Sequence, residues 1–166
     1  MAEPTAPVTD TSTPDSPEAG AGVVAAPAPI AEPAKPDAGG FIWGTGRRKS
    51  SVARVRIRPG EGTFQINGRE VDNYFSEPQH RNACLQPLSE TNTQGKLDIF
   101  VKVHGGGITG QAGAILLGVA RALKAYDPSL EPILRDHDYL SRDPRRVERK
   151  KYGQPGARAK FQFSKR

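Results

Sequence analysis

Two glycines and three consecutive bases open the chemically dense part of the chain, in Gly44-Thr45-Gly46-Arg47-Arg48-Lys49-Ser50. Glycines expose backbone N–H groups, and guanidinium forks and an ammonium beside them suit phosphate oxygens. The chemistry suggested is anion binding, with no bond-making group in sight. Just downstream, Arg54, Arg56 and Arg58 fall at every second residue. On a strand such residues share one face at a separation of roughly 6.5–7 Å, a ladder able to follow a phosphate backbone. The bland alternative for Arg47–Lys49 is a solvated charge run, and the ladder weighs against it.

The spacing Gly105-x-Gly107-x-x-Gly110 formally matches the dinucleotide fingerprint. That fingerprint requires a second parallel strand ending in an acid about 20 positions on, and Asp127 stands before Pro128 with no strand leading into it. It also fails as a phosphate loop, because Gln111 sits where lysine is needed. Two readings of Gly105–Gly107 stay open together: close backbone approach to RNA phosphates at a helix N-terminus, and a strand-to-helix turn needing positive φ. Enzyme signals are poor. His80, His104 and His137 lack ligand spacing, Asp136 and Asp138 have no second cluster, and Cys84 has no identifiable base. No cofactor or metal is expected, and the chain reads as a non-enzyme.

The densest basic stretch is Arg142-Asp-Pro-Arg-Arg-Val-Glu-Arg-Lys-Lys-Tyr152. Residues 142–166 carry ten bases and two acids, Asp143 and Glu148. Apolar residues there are too few and too irregular for a core, so the segment reads as an extended arm that orders on an anionic partner. Asp143 before Pro144 resembles an N-cap with proline at the first helical position, which allows a short basic helical turn. Tyr152, Phe161 and Phe163, interleaved with bases, can stack on unpaired nucleobases or pack on sugars and neighbouring proteins.

The rest of the chain must position these groups. Residues 1–40 hold one base, Lys35, against six acids, and eight of the 15 prolines. Such a segment cannot bury enough apolar surface to offset its ordering entropy, and it reads as a disordered acidic extension. Residues 41–166 hold 23 bases against 12 acids, and a body that basic calls for a polyanion, nucleic acid before an anionic membrane. One cysteine permits no internal disulfide, and no signal peptide or membrane span is visible. A cytoplasmic protein without a stable homo-oligomer is expected.

The folded body is expected over residues 41–141. Ser51, Ala53, Val55 and Ile57 alternate with Val52 and the arginine ladder, which is strand periodicity. Pro59-Gly-Glu-Gly62 marks a turn, Thr63–Ile66 a short strand, and Asn67-Gly68 a tight turn into a further strand over Arg69–Tyr74. Residues 77–86 read as a weak helix. Lys96–His104 is the clearest strand, with Leu97, Ile99, Val101 and Val103 on one side. Ile108, Ala112, Ile115, Leu116, Val119 and Leu123 recur at helical spacing until Asp127-Pro128. Leu130–Asp136 forms a last helix capped by Ser129. The fold class is α+β, a small mixed sheet covered by helices on one face.

Taken together, Gly44-Thr-Gly-Arg-Arg-Lys-Ser-Ser-Val-Ala-Arg-Val55, Gly105-Gly-Gly-Ile-Thr-Gly-Gln-Ala-Gly-Ala-Ile115, Gly118-Val-Ala-Arg-Ala-Leu123, Arg142-Asp-Pro-Arg-Arg-Val-Glu-Arg-Lys-Lys-Tyr-Gly153 and Gln162-Phe-Ser-Lys-Arg166 resemble the small-subunit ribosomal protein nine family over residues 41–166. The resemblance implies the fold of the second domain of ribosomal protein five, with a left-handed βαβ crossover against the usual hand. It implies binding to the 3′ major domain of small-subunit rRNA in the head, beside proteins seven, ten and fourteen, and an arm reaching peptidyl-site tRNA. Contacts to rRNA are then expected at Gly44, Thr45, Arg47, Arg48, Lys49, Arg54, Arg56, Gly105, Gly106, Gln111, Arg142, Arg145, Arg146, Arg149, Lys150, Lys151 and Arg158. Contacts to tRNA are expected at Ser164, Lys165 and Arg166.

The chain departs from the family pattern in several places. Residues 1–40 have no counterpart, Leu116 and Leu117 replace basic or histidine residues, and His137-Asp138 replaces a glycine-containing pair. Gln154-Pro-Gly156 replaces a more basic stretch, and Phe161 stands where proline is usual.

Overall fold

The computed structural model describes residues 33–165. Most of the expected acidic extension (residues 1–32) and the terminal Arg166 lie outside the described residues. The chain already follows the body from Ala34, whose N–H donates to the Ala125 carbonyl at 2.8 Å. Asp37 accepts from Ala38 N–H and from the Trp43 indole N–H.

Five strands form one sheet in the order β1-β2-β5-β3-β4. They are β1 (Ile42–Arg48), β2 (Ser51–Pro59), β3 (Phe64–Ile66), β4 (Arg69–Glu70) and β5 (Leu97–His104). β2 pairs antiparallel with both β1 and β5, whereas β3 pairs parallel with β5. A parallel neighbour needs a crossover, here carried by α1 (Val71–Tyr74) and α2 (Pro78–Glu90). α3 (Ile108–Tyr126) follows β5, and a 3-10 turn (Pro128–Leu130) leads into α4 (Glu131–Asp136). The α+β reading with helices over one sheet face holds.

Binary patterning sets the layers. The alternate side chains of Ala53, Val55 and Ile57 on β2, and of Leu97, Ile99, Val101 and Val103 on β5, are buried under α3. α3 is buried between the sheet and α2, which is why Ala112, Ala114, Ile115, Val119, Ala120 and Leu123 all lie inside. Ile108, at the first position of α3, is exposed despite its spacing, while Leu117 is buried. α4 has six residues, too few to persist alone, and docks through the fully buried Leu134, worth about 1.5–3 kcal/mol.

Several elements differ from expectation. Residues 42–48 form a strand, an element that no periodicity in the sequence marks. The strand expected over Arg69–Tyr74 stops at Glu70, and the chain turns helical because Val71 and Phe75 are buried one turn apart. The Arg81 guanidinium holds the turn by donating to the carbonyls of Phe75 and Ser76 at 2.6 and 3.0 Å. α2 runs through the buried Pro87 to Glu90. α4 begins at Glu131 with Leu130 at its N-cap and no side-chain cap, so Ser129 does not cap it; the Ser129 N–H is accepted instead by the carboxylate of Asp127, which caps the preceding turn. Asp138 takes positive φ, +57°, a backbone conformation that Asp tolerates better than most non-glycine residues.

Candidate nucleic-acid interface

The uncovered sheet face carries the arginine ladder. Arg54 and Arg58 are exposed and Arg56 half-buried, all pointing away from α3. Across the ladder, Arg54 stands opposite Lys102, Arg56 opposite Phe100, and Arg58 opposite Asp98. On the other side Trp43 lies opposite Arg56 and Thr45 opposite Arg54. The Arg56 guanidinium sits 4.9 Å from the Phe41 ring centroid and 5.2 Å from that of Phe100, a cation–π geometry. Arg58 makes similar contacts and donates to Asp98 at 3.2 Å.

Asp98 is the buried acid of this face, and it is already committed; Asp37 meets the Trp43 indole N–H at one edge and Glu70 stands opposite Gln65 at the other. Asp98 accepts the backbone N–H groups of Thr63 and Glu61, so it closes the 60–63 loop. Those donors, Thr63 first and then Arg58, hold its carboxyl below the usual range.

Gly44 and Gly46 do not expose donors as expected. Both are buried in β1 against α3. A Cβ on Gly44 would lie 2.3 Å from the Gly118 carbonyl oxygen, and one on Gly46 would lie 1.9 Å from that of Ala114. Their missing side chains let strand and helix backbones meet. Thr45 does point outward, and its carbonyl accepts from Arg121 on α3 at 2.9 Å.

The turn between β5 and α3 forms a second group. Gly105 and Gly106 have φ of +75° and +64°, so the positive-φ reading of this turn holds. A Cβ on Gly106 would fall 2.1 Å from Ser51 Oγ. The Gly105 carbonyl accepts from Ser51 Oγ at 3.0 Å and from Gln111 Nε2 at 3.2 Å. Gln111 Oε1 accepts from the Tyr74 hydroxyl at 2.8 Å, so the Gln111 side chain is occupied internally and braces the turn. The N-cap of α3, Gly107, has no side-chain acceptor for the first N–H groups. Lys49 and Ser50, exposed in the β1–β2 hairpin, lie at the same end of the sheet, since Val52 pairs with His104.

A third group joins body to arm. Arg48 lies across Gly113 of α3, and its guanidinium pairs with Asp143 at 2.9 Å. Asp143 also accepts Arg145 N–H at 2.9 Å and pairs with the Arg145 guanidinium at 2.8 Å. These Arg145 donors, with Arg48 beyond them, hold its carboxyl far below the usual carboxylate range. No helix follows Asp143, so the short helical turn that Asp143-Pro144 allows does not form. The carboxylate bonds back to Arg145 and anchors the arm's root.

Beyond that root, residues 144–165 contain neither helix nor strand. Val147, Tyr152, Phe161 and Phe163 are at least 73% exposed, so the arm has no core of its own. Glu148 pairs with Lys151 and Arg158. Arg142, Arg146, Arg149, Lys150, Lys160 and Lys165 have no carboxylate partner among the described residues. Ser164 and Lys165 are exposed.

The candidate residues therefore split. Arg47, Lys49, Arg54, Arg56, Gly105, Gly106 and the arm bases lie on accessible surface or in open turns. Gly44 is packing, while Arg48 and Gln111 are spent on internal partners. Sequence reasoning missed Phe41, Trp43 and Phe100 as parts of the basic face. The available signal was the outward register of Phe100 beside the ladder. Cys84 is fully buried, and burial pushes its thiol up to about 12, so it is inert at neutral pH.

The pattern of the ribosomal protein S9/S16 family matches residues 46–166. The chain belongs to the ribosomal protein S9/S16 family. It is 53% identical over 127 residues to small ribosomal subunit protein uS9 of Thermotoga maritima, covering 75% of this chain and 95% of that protein. The corresponding protein of Borrelia garinii subsp. bavariensis is 56% identical over 123 residues, 74% of this chain and 90% of its own length. That of Anaeromyxobacter dehalogenans is 52% identical over 121 residues, 73% and 93% respectively. Membership makes the chain a ribosomal protein, structural and not enzymatic. The matched segment takes in the β1–β2 hairpin from Gly46 onward, the glycine turn and the whole arm. The acidic extension lies outside it.

Proposed function

We propose that the chain is a structural constituent of the small ribosomal subunit that binds small-subunit rRNA and lends its C-terminus to peptidyl-site tRNA. Its place would be the 3′ major domain in the head, beside proteins seven, ten and fourteen, on ribosomes in the cytoplasm. The observation that carries this reading is the arm. It is a polycation without a core, rooted on the body by Arg48 and Asp143. Such a segment is stabilised by surrounding polyanion. rRNA helices repel one another through their phosphates, and a basic body with a basic arm can bridge them.

In this reading the work is divided. Lys49, the α3 N-terminus and the Gly105–Gly107 turn supply backbone and ammonium donors to phosphates. Arg142, Arg145, Arg146, Arg149, Lys150, Lys151 and Arg158 neutralise rRNA along the arm. Ser164, Lys165 and Arg166 hold tRNA through charge-assisted contacts to its backbone, which fix position without reading sequence.

Subunits reconstituted with a chain lacking Lys165 and Arg166 test the division. Assembly and sedimentation should be unchanged, while peptidyl-site tRNA dissociates roughly tenfold faster, as expected for lost charge-assisted contacts. Unchanged tRNA retention would remove the C-terminus from the site, and failed assembly would give these residues an rRNA role instead.

A further inference from the structure

We propose that the open face of the sheet is a site for unpaired RNA bases, with the Trp43 indole as its principal stacking surface. The proposal rests on the RNA-binding reading above and adds where and how single-stranded RNA is held.

Helices cover the opposite face of this sheet, and this one is left with planar groups in a row. Trp43, Arg56, Phe100 and Gln65 occupy aligned positions on β1, β2, β5 and β3. Trp43 is 45% exposed, unlike the apolar residues beneath the strands. A recess of about 120 Å³ opens between Trp43, Arg54, Arg56, Phe100 and Lys102. That is well below the ~300 Å³ of an ordinary small-molecule site, and it suits one ring system laid against Trp43 or Phe100. A larger, shallower recess of about 580 Å³ shares Arg56, Phe100 and Lys102 and continues past Gln65 to His104. The two make a trough running across the strands. The Arg56 guanidinium, held between the Phe41 and Phe100 rings, extends the aromatic surface.

Charge selects the occupant. Arg54 and Lys102 stand directly opposite each other on neighbouring strands, a like-charge pair that destabilises a sheet. Neither has a carboxylate partner among the described residues. Asp98 cannot relieve them, because Arg58 and two backbone N–H groups already engage it. A phosphate between Arg54 and Lys102 would turn the repulsion into attraction and set its base against Trp43. An acidic peptide could satisfy the charges, but its carboxylates do not stack. Aromatic surface interleaved with cations is the combination that holds single-stranded nucleic acid without demanding sequence.

Trp43 is the single tryptophan of the chain, so its fluorescence reports the site directly. The full chain is titrated in low salt with a short oligouridine strand and with an RNA hairpin of equal charge, following RNA anisotropy and tryptophan emission together. The single strand should quench Trp43 and the duplex should not. Trp43→Ala should weaken the single strand about tenfold, the scale of one lost stacking partner, and Trp43→Phe should restore most of the affinity. Arg54→Gln, on an exposed side chain, should weaken binding with the fold intact by circular dichroism. Binding without quenching, or with Trp43→Ala unaffected, overturns the stacking site and leaves the RNA-binding reading standing. Equal quenching by the duplex also overturns it. No anisotropy change with either RNA sinks the underlying reading itself. In assembled subunits, a benzophenone side chain at Thr45 should crosslink to rRNA, and a crosslink to protein alone would reassign the face.

Discussion

Replacing Arg142, Arg146, Arg149, Lys150, Lys160 and Lys165 by glutamine should flatten the salt dependence of rRNA binding by a calculable amount. These six bases have no carboxylate partner among the described residues, whereas Arg145, Lys151 and Arg158 are paired to Asp143 or Glu148. Each phosphate neutralised contributes about −0.7 to the slope of log affinity against log salt for single strands, and about −0.9 for duplex. With no tRNA in the assay Lys165 is also free for rRNA phosphates, and if all six bases meet them the arm contributes a slope of roughly −4 to −5. Between 50 and 200 mM salt that is a loss of several hundredfold or more for the intact chain. The assay is filter binding of the full chain and the six-fold variant to a 3′ major domain transcript across a salt series. The body is untouched in the variant, since none of the six supports a buried group. A slope difference below about 1 would refute the arm as the electrostatic anchor.

Two further outcomes concern the scaffold. Gly46→Ala should destabilise the fold by about 3 kcal/mol or more, because its Cβ would meet the Ala114 backbone at 1.9 Å where no side chain can yield. Thermal melting measures this, and an unchanged midpoint would contradict the packing account of β1 against α3. The Asp143 carboxyl has its folded pKa depressed by Arg145 and Arg48. Its contribution to stability is therefore complete above the unfolded carboxylate value near 4 and is lost as pH falls through the folded value. Urea denaturation at neutral and acid pH should show a decline on acidification that Asp143→Asn reduces. An identical decline in the variant would mean that the arm's root is not held by this carboxylate.

Much of the fold was legible because burial imposes period two on β2 and β5 and a helical period on α3. β1 was not legible, for a definite reason. Its inward positions at 44 and 46 are glycines, so no apolar alternation marks them, and its hairpin turns through Lys49-Ser50 without an Asn-Gly or Asp-Gly signal. Only the docking of α3 explains glycine there. The short α1 was hidden similarly, since Val71 and Phe75 suit a strand locally and are buried through a turn of helix.

What the sequence determined by itself was the distribution of charge and the absence of a core in the arm, because both follow from composition along the chain. The family likeness was likewise carried by motifs in order. Tertiary structure decided which bases remain free for a partner. Arg48 and Arg54 look equivalent in sequence, yet one is spent on Asp143 and the other faces Lys102 unrelieved. It also decided that Trp43, Phe100 and the arginine ladder form one surface. Strand pairing brings together residues more than 50 positions apart, and no local pattern encodes which strands will be neighbours.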